Sequence, residues 1–149
     1  MRLLKLTALV LSLSAAQVFA ADLITKPSAH SVDETIDRLA AAVEGAGAKV
    51  FARIDHAAGA AKVDMELRPT QVLLFGNPKL GTPALQAGQT AGLDLPLRVV
   101  AYEDADGKVF VAYHNPNELS EDHGISAGAE VLKKMTGALD KLTNKAIGQ

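Results

Sequence analysis

The chain has no cysteine and no tryptophan, and only two tyrosines and four phenylalanines in 149 residues. Without cysteine there is no disulfide, no thiol nucleophile, no iron–sulfur cluster, no covalently attached c-type haem and no lipid-modified N-terminal cysteine. Stability must come from packing. The scarcity of aromatic rings argues against a surface on which sugars or bases stack. An excess of positive charge is also missing. Fifteen Lys and Arg face 17 Asp and Glu, a formal net charge of −2, and no basic stripe stands out. Nucleic acid and anionic membrane surfaces are therefore not expected partners. No G-x-S-x-G elbow, no HExxH pair, no internal repeat and no low-complexity linker is present.

The N-terminus carries a pattern of its own. Arg2 and Lys5 flank the start without an acid, an apolar run covers Leu6 to Ala16, and Val18-Phe19-Ala20 follows. These are the three parts of a secretory signal. The run is too short for a membrane span of about 20 residues. Cleavage after Ala20 is expected, giving a periplasmic or secreted protein with no membrane anchor. Loss of Arg2 and Lys5 moves the formal net charge from −2 to −4. Residues 21–149 are then one domain, long enough to bury a core.

Along that domain, Asp22 to Lys26 reads as a short strand stopped by Pro27. Ser31 to Glu34 forms a capping box. Val32, Ile36, Leu39, Ala40 and Val43 fall on one face of the helix behind it, which Gly45 and Gly47 end. Lys49 to Ile54 alternates as a strand, with Val50, Ala52 and Ile54 on one side. Ala57 to Ala61 is a short helix or a loop. Gln71 to Gly76 is apolar on both faces, as in a central, doubly covered strand. Thr82-Pro83 resembles an N-cap and first helical residue, opening a helix to about Ala91. Leu97 to Glu103 and Lys108 to His114 are strands joined by the hairpin Asp104-Ala105-Asp106-Gly107. Ser126 is placed to cap a last helix bearing Val131, Leu132, Met135, Leu139 and Leu142. The order β-α-β-β-α-β-β-α predicts an α+β fold, with helices on one face of a mainly antiparallel sheet.

Several residues invite chemistry. Asp104-x-Asp106-Gly107 has the glycine in the wrong place for an EF-hand, so a hairpin turn is the better reading. Asn77, Lys79 and Thr82 lie between a buried strand and a helix, where an anion is favoured, although a plain turn and cap explain them as well. His56, His114 and His123 are candidate metal ligands if their loops meet. Neither these three nor His30 has zinc-site spacing. Glu103 reads as a solvated carboxylate at a hairpin end rather than a general base.

Leu67-Arg68-Pro69-Thr70, Phe75-Gly76-Asn77-Pro78-Lys79-x-Gly81-Thr82-Pro83, Gly92-Leu93-Asp94-Leu95-Pro96-Leu97 and Glu103-Asp104-x-Asp106-Gly107 occur in this order. With Asp55-His56-Ala57 and His123-Gly124, they resemble the bacterial and archaeal domain-of-unknown-function family 302. The resemblance implies a compact α+β domain, a homodimer and no agreed activity. It carries candidate ligand-binding roles onto His56, Asn77, Lys79 and Thr82, and less securely onto His123. Leu85-Gln86-Ala87 departs from the family's pattern, a change expected to alter pocket lining more than fold.

The expected function is a periplasmic small-ligand-binding or accessory module, dimeric, holding a small anionic ligand near Asn77, Lys79 and Thr82. The alternatives are a metal- or haem-associated protein using His56 with His123 or His114, a small histidine-dependent hydrolase or lyase, and a purely structural dimer without a ligand. The sequence identifies no cofactor and no catalytic residue.

Overall fold

The computed structural model describes residues 23–149; the expected signal peptide, residues 1–20, lies outside them. The elements run β1 Leu23–Ser28, α1 Val32–Gly45, β2 Lys49–Asp55, α2 His56–Ala61, β3 Thr70–Gly76 and α3 Pro78–Ala87, then a 3-10 turn Gln89–Leu93. They continue with β4 Leu97–Glu103, β5 Val109–His114, α4 Glu118–His123 and α5 Glu130–Ile147. The strands form one sheet in the order β1-β5-β4-β3-β2, and every neighbouring pair is antiparallel. The chain is α+β, as its hydrophobic periodicity predicts.

Ser31 caps α1 by accepting from the Glu34 N–H at 3.2 Å. The return half of the expected capping box is not made, because the Glu34 carboxylate pairs with His30 Nδ1 at 2.8 Å. Val32, Ile36, Leu39 and Val43 bury against one face of β3, β4 and β5, where Leu139, Leu142, Ala146 and Ile147 of α5 join them. A smaller cluster gathers Ala84, Ala91, Leu119, Ile125, Leu132 and Met135 at one end of the sheet. Two polar clamps hold the layers together. Lys26 on β1 reaches Asp140, Thr143 and Asn144 of α5 at 2.7, 2.9 and 2.6 Å. Buried Gln71 donates to Asp33 at 2.6 Å and accepts from Arg53 at 2.8 Å, tying α1 to β2 and β3.

Five local expectations change. β1 runs through Pro27 to Ser28, because an edge strand tolerates a residue without an N–H. A bulge between Val50 and Ala52 shifts the phase of β2. Val50 therefore pairs with Phe75 on the helix-covered face, while Ala52 and Ile54 pair with Leu74 and Val72 on the other. β3 is next to the edge rather than central, and Val72 and Leu74 stay partly exposed. α3 starts five residues earlier than expected, at Pro78, with Asn77 as its cap and Pro83 inside it. α5 starts at Glu130 without a side-chain cap, so Ser126 does not cap it, and α4 precedes it.

The hairpin is as read. Asp104 Oδ1 accepts from the Asp106 and Lys108 N–H groups at 2.9 and 2.8 Å. Gly107 takes the left-handed backbone there, with φ of 76°.

Candidate functional site

A groove of about 570 Å³ opens where α3 meets the end of the sheet. Its walls include Phe51 of β2, Leu74 of β3, Leu80 and Leu85 of α3, Leu95, and Met135 of α5. The bulge in β2 is what brings Phe51 here. Asn77 and Thr82 supply polar groups to this lining, and Gly81 leaves it open, since a Cβ there would meet nothing within 4 Å. The volume lies within the range of small-molecule sites, which are mostly apolar with a few placed polar groups.

Asn77 has a structural task first. Its Oδ1 accepts from the Lys79 N–H at 2.9 Å, and its Nδ2 donates to the Gly47 carbonyl at 3.3 Å. The Leu80 and Gly81 N–H groups donate to the Asn77 carbonyl at 2.8 and 2.9 Å, and Pro78 has no N–H. The start of α3 thus leaves no free donor in its first three positions, which is where an anion would bind. Lys79 is exposed outside the groove lining. Thr82, read as the cap, sits a turn inside the helix.

His56 is elsewhere. It opens α2 at the end of β2 where Asp55 pairs with Gln71. The groove lies at the other end, where Lys49 pairs with Gly76. The fold therefore brings Asn77 and Thr82 together and separates His56 from them. The same topology separates His56 from His114, because His114 closes β5 opposite Leu23, at the groove's end of the sheet. Among the described residues no group of three or more His, Asp and Glu side chains is arranged to hold a metal ion.

His123 is the most enclosed of these histidines, with its side chain 5 % exposed. Its Nε2 lies 2.8 Å from Asp94 Oδ2 and its Nδ1 3.0 Å from Thr90 Oγ1. Both ring nitrogens are engaged by protein groups, so binding a metal would require breaking one of these hydrogen bonds. The ring fastens α4 to the 3-10 turn. His114 pairs with Glu118 across 3.2 Å beside a cavity of about 160 Å³ that Asp94 and Arg98 also line. That volume is small for an organic substrate.

The His123 ring N–H, opposed by burial and aided by Arg98 at 2.7 Å, holds the Asp94 carboxyl below its ordinary value. A lowered folded pKa stabilises the fold fully above the unfolded value of about 4 and is lost as pH falls below it. The expected effect is no more than about 1 kcal/mol, because the carboxylate is partly open to water. Urea unfolding at pH 6 and pH 3 should show the wild-type advantage over Asp94→Asn shrinking in acid. A difference independent of pH would contradict this account.

The groove wall was missed from sequence because it is assembled from five elements. Leu85 was the one visible signal, standing where the chain departs from the family pattern, and it does line the groove.

Comparisons with known proteins fit this architecture. The chain is 40 % identical over 134 residues to the fluoride-specific ion channel FluC 1 of Brucella suis biovar 1 (strain 1330), covering 89 % of this chain and 53 % of that protein. It matches FluC 2 of Brucella melitensis biotype 1 at the same identity, over 50 % of that protein. The chain thus spans about half the length of these curated relatives. The crystal structure of an uncharacterized conserved DUF302 protein from Bacillus stearothermophilus superposes with a TM-score of 0.76 at 20 % identity. That match covers 85 % of this chain and 99 % of the other. It shows a shared fold. The family model described as domain of unknown function DUF302 matches residues 24–142, and the chain belongs to that family.

Proposed function

We propose that the chain is a small-ligand-binding accessory module whose ligand is largely apolar and sits in the groove beside α3. The observation that carries this reading is the groove itself, with apolar walls and Asn77 and Thr82 as its placed polar groups. It favours an apolar or amphipathic molecule over the small anion expected from sequence, since the donors at the start of α3 are already paired. The accessory role is supported by the relatives. They are named as ion channels and are about twice as long as the matched segment. Among the described residues of this chain no helix is long and apolar enough to cross a membrane. Residues 1–20 support a periplasmic or secreted location, and the denatured mass of recovered protein reads their removal directly.

The test uses N-phenyl-1-naphthylamine, a neutral fluorescent probe. Gly81→Leu fills the groove without a backbone clash and removes a glycine from a helix, which favours stability by up to about 1 kcal/mol. The wild type is expected to bind the probe, and Gly81→Leu to bind it at least about 10-fold more weakly. Lys79→Ala should leave binding within about twofold, since the probe has no charge to meet. Equal binding by wild type and Gly81→Leu, or no binding by the wild type, would remove the groove as the site.

A further inference from the structure

The cavity of about 160 Å³ beside His114 has no part in the function proposed above. Its lining and that of the groove share only Leu97. The walls come from the start of β4, the segment that leads from the end of β5 into α4, and α5. Polarity changes with depth. The most enclosed lining side chains are apolar, with Leu119 and Leu139 6 % and 1 % exposed. The His114 and Arg98 side chains are 59 % and 44 % exposed, and Asp122 is open to solvent. The charged groups therefore stand at the rim, over a floor of leucine.

The rim is not balanced. Three carboxylates, on Asp94, Glu118 and Asp122, meet one guanidinium. That guanidinium, of Arg98, is already taken by Asp94 at 2.7 Å, and Asp94 also holds His123 at 2.8 Å. Glu118 Oε2 has the His114 ring at 3.2 Å. Asp122 lies one turn along α4 from Glu118 and has no ion-pair partner among the described residues. Glu118 Oε1 goes further. It is buried and accepts no hydrogen bond, and no other buried side-chain oxygen or nitrogen among the described residues lacks a partner. Leaving a buried carboxylate oxygen without a donor is costly, so native folds almost always supply one.

We infer that this cavity is a second binding site, which takes a short primary alkylammonium ion with its N–H groups on Glu118 and Asp122 and its carbon chain against Leu119 and Leu139. An ammonium group has three donors and no acceptor, which suits two carboxylates that lack donors. Its charge offsets the surplus negative charge of the rim. Its tail suits the leucine floor, which an inorganic ion would reach only by shedding its water shell. A metal ion is the poorer match, because no three His, Asp and Glu side chains among the described residues are arranged to share one. Size sets the rest. An apolar cavity of about 150 Å³ holds one benzene molecule, so this one admits about four to six heavy atoms and no full-sized substrate.

The probe is n-butylammonium, with 1-butanol as its uncharged counterpart of equal length. Titrated into ¹⁵N-labelled wild type, n-butylammonium is expected to shift the amides of His114, Glu118, Leu119 and Asp122. 1-Butanol should bind at least about 10-fold more weakly. Glu118→Gln keeps the shape and removes the charge, and should weaken n-butylammonium binding at least about 10-fold. Asp122 is exposed and unpaired, so Asp122→Asn tests the same charge without risk to folding and should weaken binding at least about threefold. N-phenyl-1-naphthylamine is too large for this cavity, so the groove and this site are read by different probes and fail separately. No binding of n-butylammonium by the wild type up to about 10 mM, equal binding of 1-butanol, or undiminished binding by the two variants would overturn the inference.

Discussion

Leu139→Ala is expected to lower the unfolding free energy by about 3 to 4 kcal/mol. Leu139 is 1 % exposed and stands where α5 meets α1 and the sheet. Truncation removes buried carbon and leaves a hole whose walls cannot close. One wall is the sheet, held by hydrogen bonds across five strands. Another already borders the cavity of about 160 Å³ below His114. At about 3 to 5 °C per kcal/mol for a domain of this length, the melting temperature should fall by roughly 10 to 20 °C. Leu93→Ala is the control, since Leu93 is 79 % exposed and its loss should cost less than about 0.5 kcal/mol. Thermal and urea unfolding check both, and equal effects at the two positions would contradict the assignment of the core.

Gly88→Ala should cost about 2 to 3 kcal/mol for a different reason. The Gly88 backbone is extended, with φ of −155° and ψ of 101°, a conformation alanine adopts freely. The cost is contact. A Cβ at this position would lie 2.4 Å from the His123 carbonyl oxygen and 3.3 Å from Ile125 Cγ1. That oxygen belongs to the backbone and cannot swing away like a side-chain tip. The His123 ring is also anchored by Asp94 and Thr90. Making room means separating α4 from the 3-10 turn and opening the cluster formed by Leu119, Ile125 and Ala91. Gly92→Ala provides the comparison, as its Cβ would meet only Leu85 at an ordinary 3.6 Å. If urea unfolding shows Gly88→Ala as stable as Gly92→Ala, the close approach is not rigid.

What could be read from sequence was what depends on spacing along the chain. The helical stripes that include Ile36 and Leu39, and Leu132 and Leu139, reached the core as patterned, and the turn at Asp104 to Gly107 formed where its residues predict it. What failed depended on a choice between two good local signals. Asn77-Pro78 and Thr82-Pro83 are both cap-and-proline pairs. The first prevailed because Asn77 also bonds the Gly47 carbonyl, a tertiary contact with no trace in local sequence. The β2 bulge was invisible for a similar reason, since Val50, Ala52 and Ile54 alternate perfectly and only pairing with β3 shows the phase shift. α4 is one short turn-and-a-half with few apolar positions, though His123-Gly124 at its end has the form of a helix stop.

The candidate site was legible only in outline. Asn77 and Thr82, read from sequence as parts of an anion cradle, both line the groove. The apolar wall from Phe51, Leu74, Leu95 and Met135 comes from distant positions and emerges only on folding. The three histidines drew attention as chemistry-bearing residues. The fold ties both ring nitrogens of His123 to Asp94 and Thr90 and keeps His56 at the far end of the sheet from His114.

The most direct test of the groove as the ligand site is an amide chemical-shift map of ¹⁵N-labelled protein titrated with N-phenyl-1-naphthylamine. The account predicts shifts gathered on Phe51, Leu74, Gly81, Leu85 and Leu95. Shifts gathered elsewhere, with Phe51, Gly81, Leu85 and Leu95 unmoved, would contradict it.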